Sequence, residues 1–133
     1  MAAGVNDGDW CPINPANMTA KADENIYVLG DASVASSMPK SGFSANSQAK
    51  VAANHIRGAL TGSRVYAPRF ANTCWSLIGT NDGIKVGANY KAGAEKIDVT
   101  DKFISQGDEA SDIRKATYEA VSYTHLTLPT IAK

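Results

Sequence analysis

The amino-acid sequence predicts a mixed α/β fold, with a strand and a long helix in its first half and a β-meander in its second. A short apolar run ended by a glycine, residues 26–29 before Gly30, is typical of a buried strand. Small and apolar residues recur at three- and four-residue spacings from Ala45 to Leu60, which predicts the helix. Alternation of apolar with polar or small residues over 84–90 predicts a half-buried strand.

The composition is that of an ordinary globular protein. Hydrophobic residues make up 44% and charged residues 20% of the 133 residues. Thirteen basic residues balance 13 acidic ones, so the net charge gives no reason to expect a nucleic acid or an acidic membrane surface as partner. No run approaches the ~18 consecutive apolar residues of a membrane-spanning helix. We therefore expect no nucleic acid and no membrane span, and any signal peptide would lie outside this sequence.

The N-terminal segment, residues 1–24, is rich in Asn, Asp, Gly and Pro and predicts irregular chain. Each proline there moves the residue before it out of the helical region. Trp10 and Ile13 are expected to anchor the segment on the core. Loop-like sequence directly after Met1 suggests that the chain begins within a longer protein.

The predicted helix follows a loop over residues 32–43. Ser44 is expected to be its N-cap and Gly62 its terminator. An alanine-rich face should press against a sheet or a cofactor, whereas His55 lies off that face and is expected to be exposed. The face consists of Ala45, Ala49, Ala52, Ala53, Ile56, Ala59 and Leu60.

The second half predicts strands over 74–78 and 84–90, joined by the Asn, Asp and Gly that hairpin turns need. Residues 96–104 predict a further strand, and residues 108–120 a short polar helix. Residues 121–130 resemble translated sequencing-adapter read-through, although an ordinary C-terminal strand is the alternative. We therefore give residues 121–133 no functional role.

Two neighbouring features predict a ligand site. Gly30 and Asp31 end the predicted strand, and ligands of open α/β sheets bind at the carboxyl ends of strands. A glycine lets the backbone approach a ligand, and an aspartate accepts a hydrogen bond from a sugar-like hydroxyl. The helix start at 44–47 offers backbone N–H groups to an anionic or electron-rich group. Lys40 either adds a cation there or is an ordinary solvated lysine.

The two cysteines, Cys11 and Cys74, lie 63 residues apart and form no CxxC motif. They could be free thiols, a mutual disulfide, or partners of cysteines elsewhere. Cys74 opens an apolar strand, where a buried inert cysteine is the usual case. A redox disulfide would need a second sulfur within bonding geometry.

These segments carry a resemblance to known flavoproteins. Residues 26–32 resemble the second FAD motif of the two-dinucleotide-binding-domain, glutathione reductase-like superfamily. Four segments, in the family's order, are similar to the flavoprotein subunit of flavocytochrome c sulfide dehydrogenase: Asn6–Pro12, Met38–Gln48, Asn72–Leu77, and Gly83–Val86 with Tyr90. Trp75 stands where the family commonly has tyrosine, no GxGxxG is present, and the similarity fades after Lys91.

The resemblance implies a domain organisation and site residues. Residues 1–64 would be the C-terminal part of a FAD-binding, Rossmann-like domain, and 65–120 part of the family's C-terminal flavin-binding domain. Cys74 matches the cysteine of the family's redox-active disulfide, whose partner lies in the N-terminal half that this sequence lacks. Cys11 matches a family cysteine outside that pair. The implied FAD contacts are Gly30 and Asp31 at the ribityl chain, Ser44, Ala45, Asn46 and Ser47 at the pyrimidine edge of the isoalloxazine, and Lys40.

The activity implied is that of a periplasmic, FAD-dependent sulfide dehydrogenase that passes electrons to a cytochrome c subunit carrying haem c. This chain would be a fragment of it, inactive alone, and no metal site is predicted. Two alternatives remain: a fragment of a sulfide:quinone or other pyridine nucleotide–disulfide oxidoreductase, and a non-catalytic module that docks a partner.

Overall fold

The structure, a computed structural model, describes residues 4–104 and 114–121. The predicted mixture of helix and strand is confirmed. In chain order the elements are β1 (Cys11–Pro12), a 3-10 helix (Gly30–Ala32), β2 (Ser33–Val34), α1 (Gly42–Thr61), β3 (Arg69–Gly79), β4 (Asp82–Ala92), β5 (Ile97–Ile104) and α2 (114–121).

The chain divides into two compact units. Of the described residues, 4–72 and 88–101 form the first, and 73–87, 102–104 and 114–121 form the second. The first unit contains a small parallel sheet in which Cys11 pairs with Ser33 and Pro12 with Val34. A parallel pair needs a crossover connection, here residues 13–32.

The strand predicted at 26–29 is wrong, because it is reduced to one antiparallel bridge between Thr19 and Tyr27. Val28 N donates to Met18 O at 3.0 Å on one side of the bridge. The opposing run cannot extend, since the chain already turns at Asn14–Met18, where Met18 N donates to Asn14 O at 2.8 Å. A ladder needs a longer partner than this turn leaves.

The long helix is confirmed as α1, but Ser41 and not Ser44 is its N-cap. Ser41 has extended backbone, φ −152° and ψ 157°, and its side chain accepts a hydrogen bond from Ser44 N at 3.1 Å. Ser44 already lies inside the first turn and is buried. Gly62 ends the helix as predicted, with φ 66° and its N–H bonded to Gly58 O.

The alanine face predicted to be buried is largely wrong. The buried residues of α1 are Ser44, Gln48, Val51, Ala52 and Gly58. The C-terminal part of the predicted face is exposed instead: Ala53, Ile56, Ala59 and Leu60. The buried stripe is displaced because two polar side chains on it find hydrogen-bond partners, which a pattern of apolar residues cannot reveal.

His55, predicted to be exposed, is half-buried instead. Its Nδ1 and the hydroxyl of Tyr27 are hydrogen-bonded at 2.7 Å, and the two ring centroids lie 5.9 Å apart. The residue pair joins α1 to the 26–29 segment within the first unit. A polar partner therefore draws the imidazole off the surface.

The predicted meander is confirmed as a sheet with strand order β3-β4-β5. Thr80 and Asn81 make the two-residue turn between β3 and β4, and Asn81 has a positive φ of 59°. The strand predicted at 96–104 is confirmed as β5. Of the helix predicted at 108–120, residues 114–120 are helical and 108–113 lie outside the described residues, as do residues 122–133 of the expected artefactual tail.

The hydrophobic core of the first unit draws on residues from the N-terminal segment, α1 and all three meander strands. Ile13 anchors the N-terminal segment in it as predicted, but Trp10 is 44% exposed. The core consists of Cys11, Ile13, Met18, Ala20, Ala35, Met38, Val51, Ala52, Phe70, Ala88, Tyr90 and Ile97. In the described ranges no helix has the length and apolar character that a bilayer span requires.

The second unit is held by a buried ion pair and a close backbone contact. Arg114 of α2 donates from Nε and Nη2 to the two carboxylate oxygens of Asp82, and both side chains are under 15% exposed. Next to Asp82, a Cβ on Gly83 would lie 3.0 Å from Tyr118 N. Glycine at 83 therefore lets α2 pack directly on the start of β4.

Candidate functional site

A cleft of about 130 Å³ in the first unit brings together part of the predicted site. Its walls are formed by the 3-10 helix, β2, the loop that follows, and the first two turns of α1. Binding pockets for complete drug-sized ligands measure roughly 300–1,000 Å³. This cleft therefore suits one edge of a larger molecule. The residues that line it are Trp10, Gly30, Ser33, Val34, Ala35, Ser36, Met38, Pro39, Lys40, Ser41, Ser44 and Gln48.

Gly30 forms a fixed turn at the edge of the cleft. Its φ of +71° favours glycine, and a Cβ there would lie 3.4 Å from the Cβ of Ala45. Gly30 N donates to Gln48 Oε1 at 2.7 Å, and Gly30 O accepts from Ser33 Oγ at 2.8 Å. Both polar backbone groups of the residue are thus tied to the protein, and Gly30 is one of the residues that line the cleft.

Asp31 follows with an exposed side chain. Its backbone carbonyl accepts a hydrogen bond from Lys40 Nζ at 2.5 Å. Among the described residues no hydrogen bond or ion pair engages the Asp31 carboxylate. That carboxylate can therefore accept hydrogen bonds from the hydroxyls of a ligand, as the sequence predicts.

The start of α1 is pinned by Asn72, a buried residue at the start of β3. Asn72 Oδ1 accepts from Ser41 Oγ at 2.6 Å and from Ser44 Oγ at 3.0 Å. One turn along, Ser47 Oγ accepts from Ala71 N at 2.9 Å. These bonds fix the helix end whose N–H groups and partial positive charge favour an electron-rich group.

Lys40 is not a simple solvated lysine. Besides its bond to the carbonyl of Asp31, its Nζ lies 2.9 Å from the centroid of the Trp10 ring. This cation–π contact holds the positive charge at the mouth of the cleft. Trp10, expected to be a core anchor, instead lines the cleft and carries this cation.

The predicted cofactor residues thus divide into two groups. Gly30, Lys40 and Ser44 line the cleft. The other four are not among the lining residues: Asp31 and Asn46 are exposed, Ala45 is half-buried beside Gly30, and Ser47 accepts a hydrogen bond from Ala71 N of β3. Sequence analysis missed Trp10, Gln48 and Asn72. One signal in the sequence could have identified Gln48: it is a polar residue four positions after Ser44, on the same buried stripe of the helix.

The two cysteines occupy different surroundings, and the structure describes both as free thiols. Cys11 is buried in β1, its Sγ donates to Val5 O at 3.2 Å, and burial raises the pKa of its thiol. Cys74 is half-buried in β3 within the second unit. A buried thiol with a raised pKa is a poor nucleophile, so Cys11 is unsuited to redox chemistry.

Residues 66–122 match the protein-family model described as "Flavocytochrome c sulphide dehydrogenase, flavin-binding". The match confirms the resemblance found in the sequence and the prediction of FAD as cofactor. It includes Cys74, all three meander strands and α2. All the residues that line the cleft precede the matched segment. The matched segment contributes to the cleft indirectly, because its Asn72 fixes the start of α1. Hydrogen-bond acceptors, a cation and a helix N-terminus around a small cleft fit the polar edge of a flavin.

Proposed function

We propose that the chain is part of an enzyme that oxidises sulfide and delivers the electrons to a cytochrome c subunit, because residues 66–122 match the model of the flavin-binding domain of flavocytochrome c sulphide dehydrogenase. The family match over the segment that contains Cys74 is the observation that carries the proposal. A periplasmic location is part of it, by resemblance to the same family.

In this proposal the first unit holds the FAD. The Gly30 turn admits the ribityl chain, the Asp31 carboxylate accepts its hydroxyl hydrogen bonds, and residues 44–47 face the pyrimidine edge. Lys40, held at the mouth of the cleft by Trp10, adds positive charge. The β1–β2 pair and α1 then form the end of a Rossmann-like FAD domain. When bound, the flavin supplies a two-electron acceptor that can release electrons singly.

Cys74 supplies the sulfur chemistry, as one half of a disulfide with a cysteine from the family's N-terminal half. Hydrosulfide attacks one sulfur of that disulfide, so that a new S–S bond forms while the protein's S–S bond breaks. The products are a cysteine persulfide and a cysteine thiolate. Oxidation of each hydrosulfide to zero-valent sulfur releases two electrons and one proton in total.

The test compares the two cysteines in the protein purified with its native subunits. Sulfide-dependent reduction of cytochrome c, followed at 550 nm, should fall at least about 100-fold in Cys74→Ser, since a serine cannot form the disulfide. Cys11→Ser is the matched control and should keep most of the rate, because the Cys11 thiol is buried and bonded to Val5 O. A Cys74→Ser protein that kept the full rate would refute the proposal.

One observation favours docking of a partner as the second candidate function. Trp75 and Leu77, which share one face of β3, are 44% and 48% exposed. Such clustered apolar exposure is typical of interaction surfaces. If the unchanged protein binds a cytochrome c but supports no sulfide-dependent reduction, docking without chemistry is the better description. Reduction of a soluble quinone in place of the cytochrome would favour a sulfide:quinone oxidoreductase.

A further inference from the structure

Gln48 is the most deeply buried amide in the wall of the cleft. Its side chain is 1% exposed and projects from the second turn of α1. Gln48 Oε1 accepts the backbone N–H of Gly30 at 2.7 Å. Because a backbone N–H only donates, this bond fixes which end of the amide is oxygen.

The other end of the amide has a poor partner. Gln48 Nε2 donates to Met38 Sδ at 3.8 Å, and a thioether is a weak acceptor. Burying an amide without full hydrogen-bond compensation costs free energy. The residue is therefore not explained by packing, for which an apolar side chain of the same length would serve better.

The one strong hydrogen bond of Gln48 acts on the N–H side of the Gly30 turn. Gly30 has φ +71°, a conformation that glycine leaves as readily as it enters. Its carbonyl is held by Ser33 Oγ and its N–H by Gln48. Gln48 thus supplies a hydrogen bond that ties the amide side of this turn to the helix.

We propose that Gln48 is a positioning residue for FAD: it clamps the Gly30–Asp31 turn to α1, so that the Gly30 backbone and the Asp31 carboxylate stay in place for the cofactor. This inference rests on the proposed function, because it assigns Gln48 to the same cofactor site. Gln48 itself need not touch the ring system.

Two variants separate the clamp from simple packing. Gln48→Met keeps the length and volume but loses the acceptor, so FAD should bind about tenfold more weakly and the Gly30 amide should exchange about tenfold faster with the cofactor removed. Gln48→Glu keeps an acceptor oxygen and should restore the affinity for oxidised FAD to within about twofold of the unchanged protein. Asn54→Met, on the same helix but bonded to Tyr66 O, is the matched control and should change neither quantity.

The measurements are flavin fluorescence titration of the protein freed of FAD, and hydrogen exchange at the Gly30 amide by NMR. Unchanged affinity in Gln48→Met would overturn the inference, as would loss of affinity in Gln48→Glu equal to that in Gln48→Met. Faster Gly30 exchange with unaltered affinity would also overturn it, since the clamp would then exist without positioning the cofactor. If the unchanged protein bound no FAD, both the inference about Gln48 and the proposed function would be refuted. Each of the other contrary results would refute only the inference about Gln48.

Discussion

The two halves of α1 are held in place by different means. The first half is fixed by side-chain hydrogen bonds to distant segments: Ser41 and Ser44 to Asn72, and Gln48 to Gly30. The second half has Gly62 as C-cap and Gly58 against Val65. Its side-chain hydrogen bonds are exposed, from Asn54 to Tyr66 O and from Arg57 to Arg64 O, except for the part-buried bond between His55 and Tyr27. The most exposed large apolar side chain of the helix is in the second half, Leu60 at 81%, whereas Phe43 in the first half is 41% exposed.

The difference shows which half of α1 is held more firmly in position. A buried hydrogen bond costs more to lose than an exposed one, because water cannot replace the missing partner. The first half, which has the buried hydrogen bonds, is also the half that borders the cleft. Side chains of the first half should therefore be costly to change, and those of the second half progressively less so.

The largest effect is expected from Asn72→Leu. Leucine fills the space but leaves the hydroxyls of Ser41 and Ser44 without their shared acceptor, at a cost of about 3 kcal/mol in the free energy of unfolding. Urea unfolding measures the loss, and Asn89→Leu on the exposed side of β4 is the control. A loss below about 1 kcal/mol would show that the first half is not held through Asn72.

A smaller effect is expected from Gly58→Ala. An alanine Cβ would overlap the Val65 side chain and lie 3.2 Å from Ser63 O, so we expect a loss of about 1–2 kcal/mol although alanine favours helix. Adding Val65→Ala should recover about half of that loss, as a double-mutant cycle would show. If Gly58→Ala alone stabilises the protein, close packing does not hold this end.

The smallest effect is expected from Leu60→Gln. The side chain is 81% exposed and glutamine has a similar helix propensity, so unfolding should change by less than about 0.5 kcal/mol. Thermal unfolding by circular dichroism measures this. A loss above 1 kcal/mol would mean that the second half buries more in solution than it does here, and would erase the contrast between the halves.

The sequence predicted those features of the fold that depend on local physics. The span of α1, its end at Gly62 and the meander turn at Thr80–Asn81 all follow from spacing and turn chemistry. The strand at 26–29 failed because a ladder needs a partner, and the turn at Asn14–Met18 removes it. Such pairing is a tertiary property that an apolar run does not reveal.

The candidate site was predictable only in part. Gly30, Lys40 and Ser44 were identified from the sequence and do line one cleft. Gln48 and Asn72 were missed because their importance comes from partners 18, 28 and 31 residues away. Trp10 was assigned to the core because aromatic residues are usually buried, whereas here a lysine covers its face.

The ion pair between Asp82 and Arg114 has a consequence for chain connectivity. It joins residues 32 positions apart through two parallel hydrogen bonds in a poorly hydrated setting. It therefore acts as a non-covalent crosslink between β4 and α2 in the intact chain. A proteolytic cut in the turn at Gly93–Lys96 would make the same pair a contact between two fragments, and the pair would lose the high effective concentration that the continuous chain gives it.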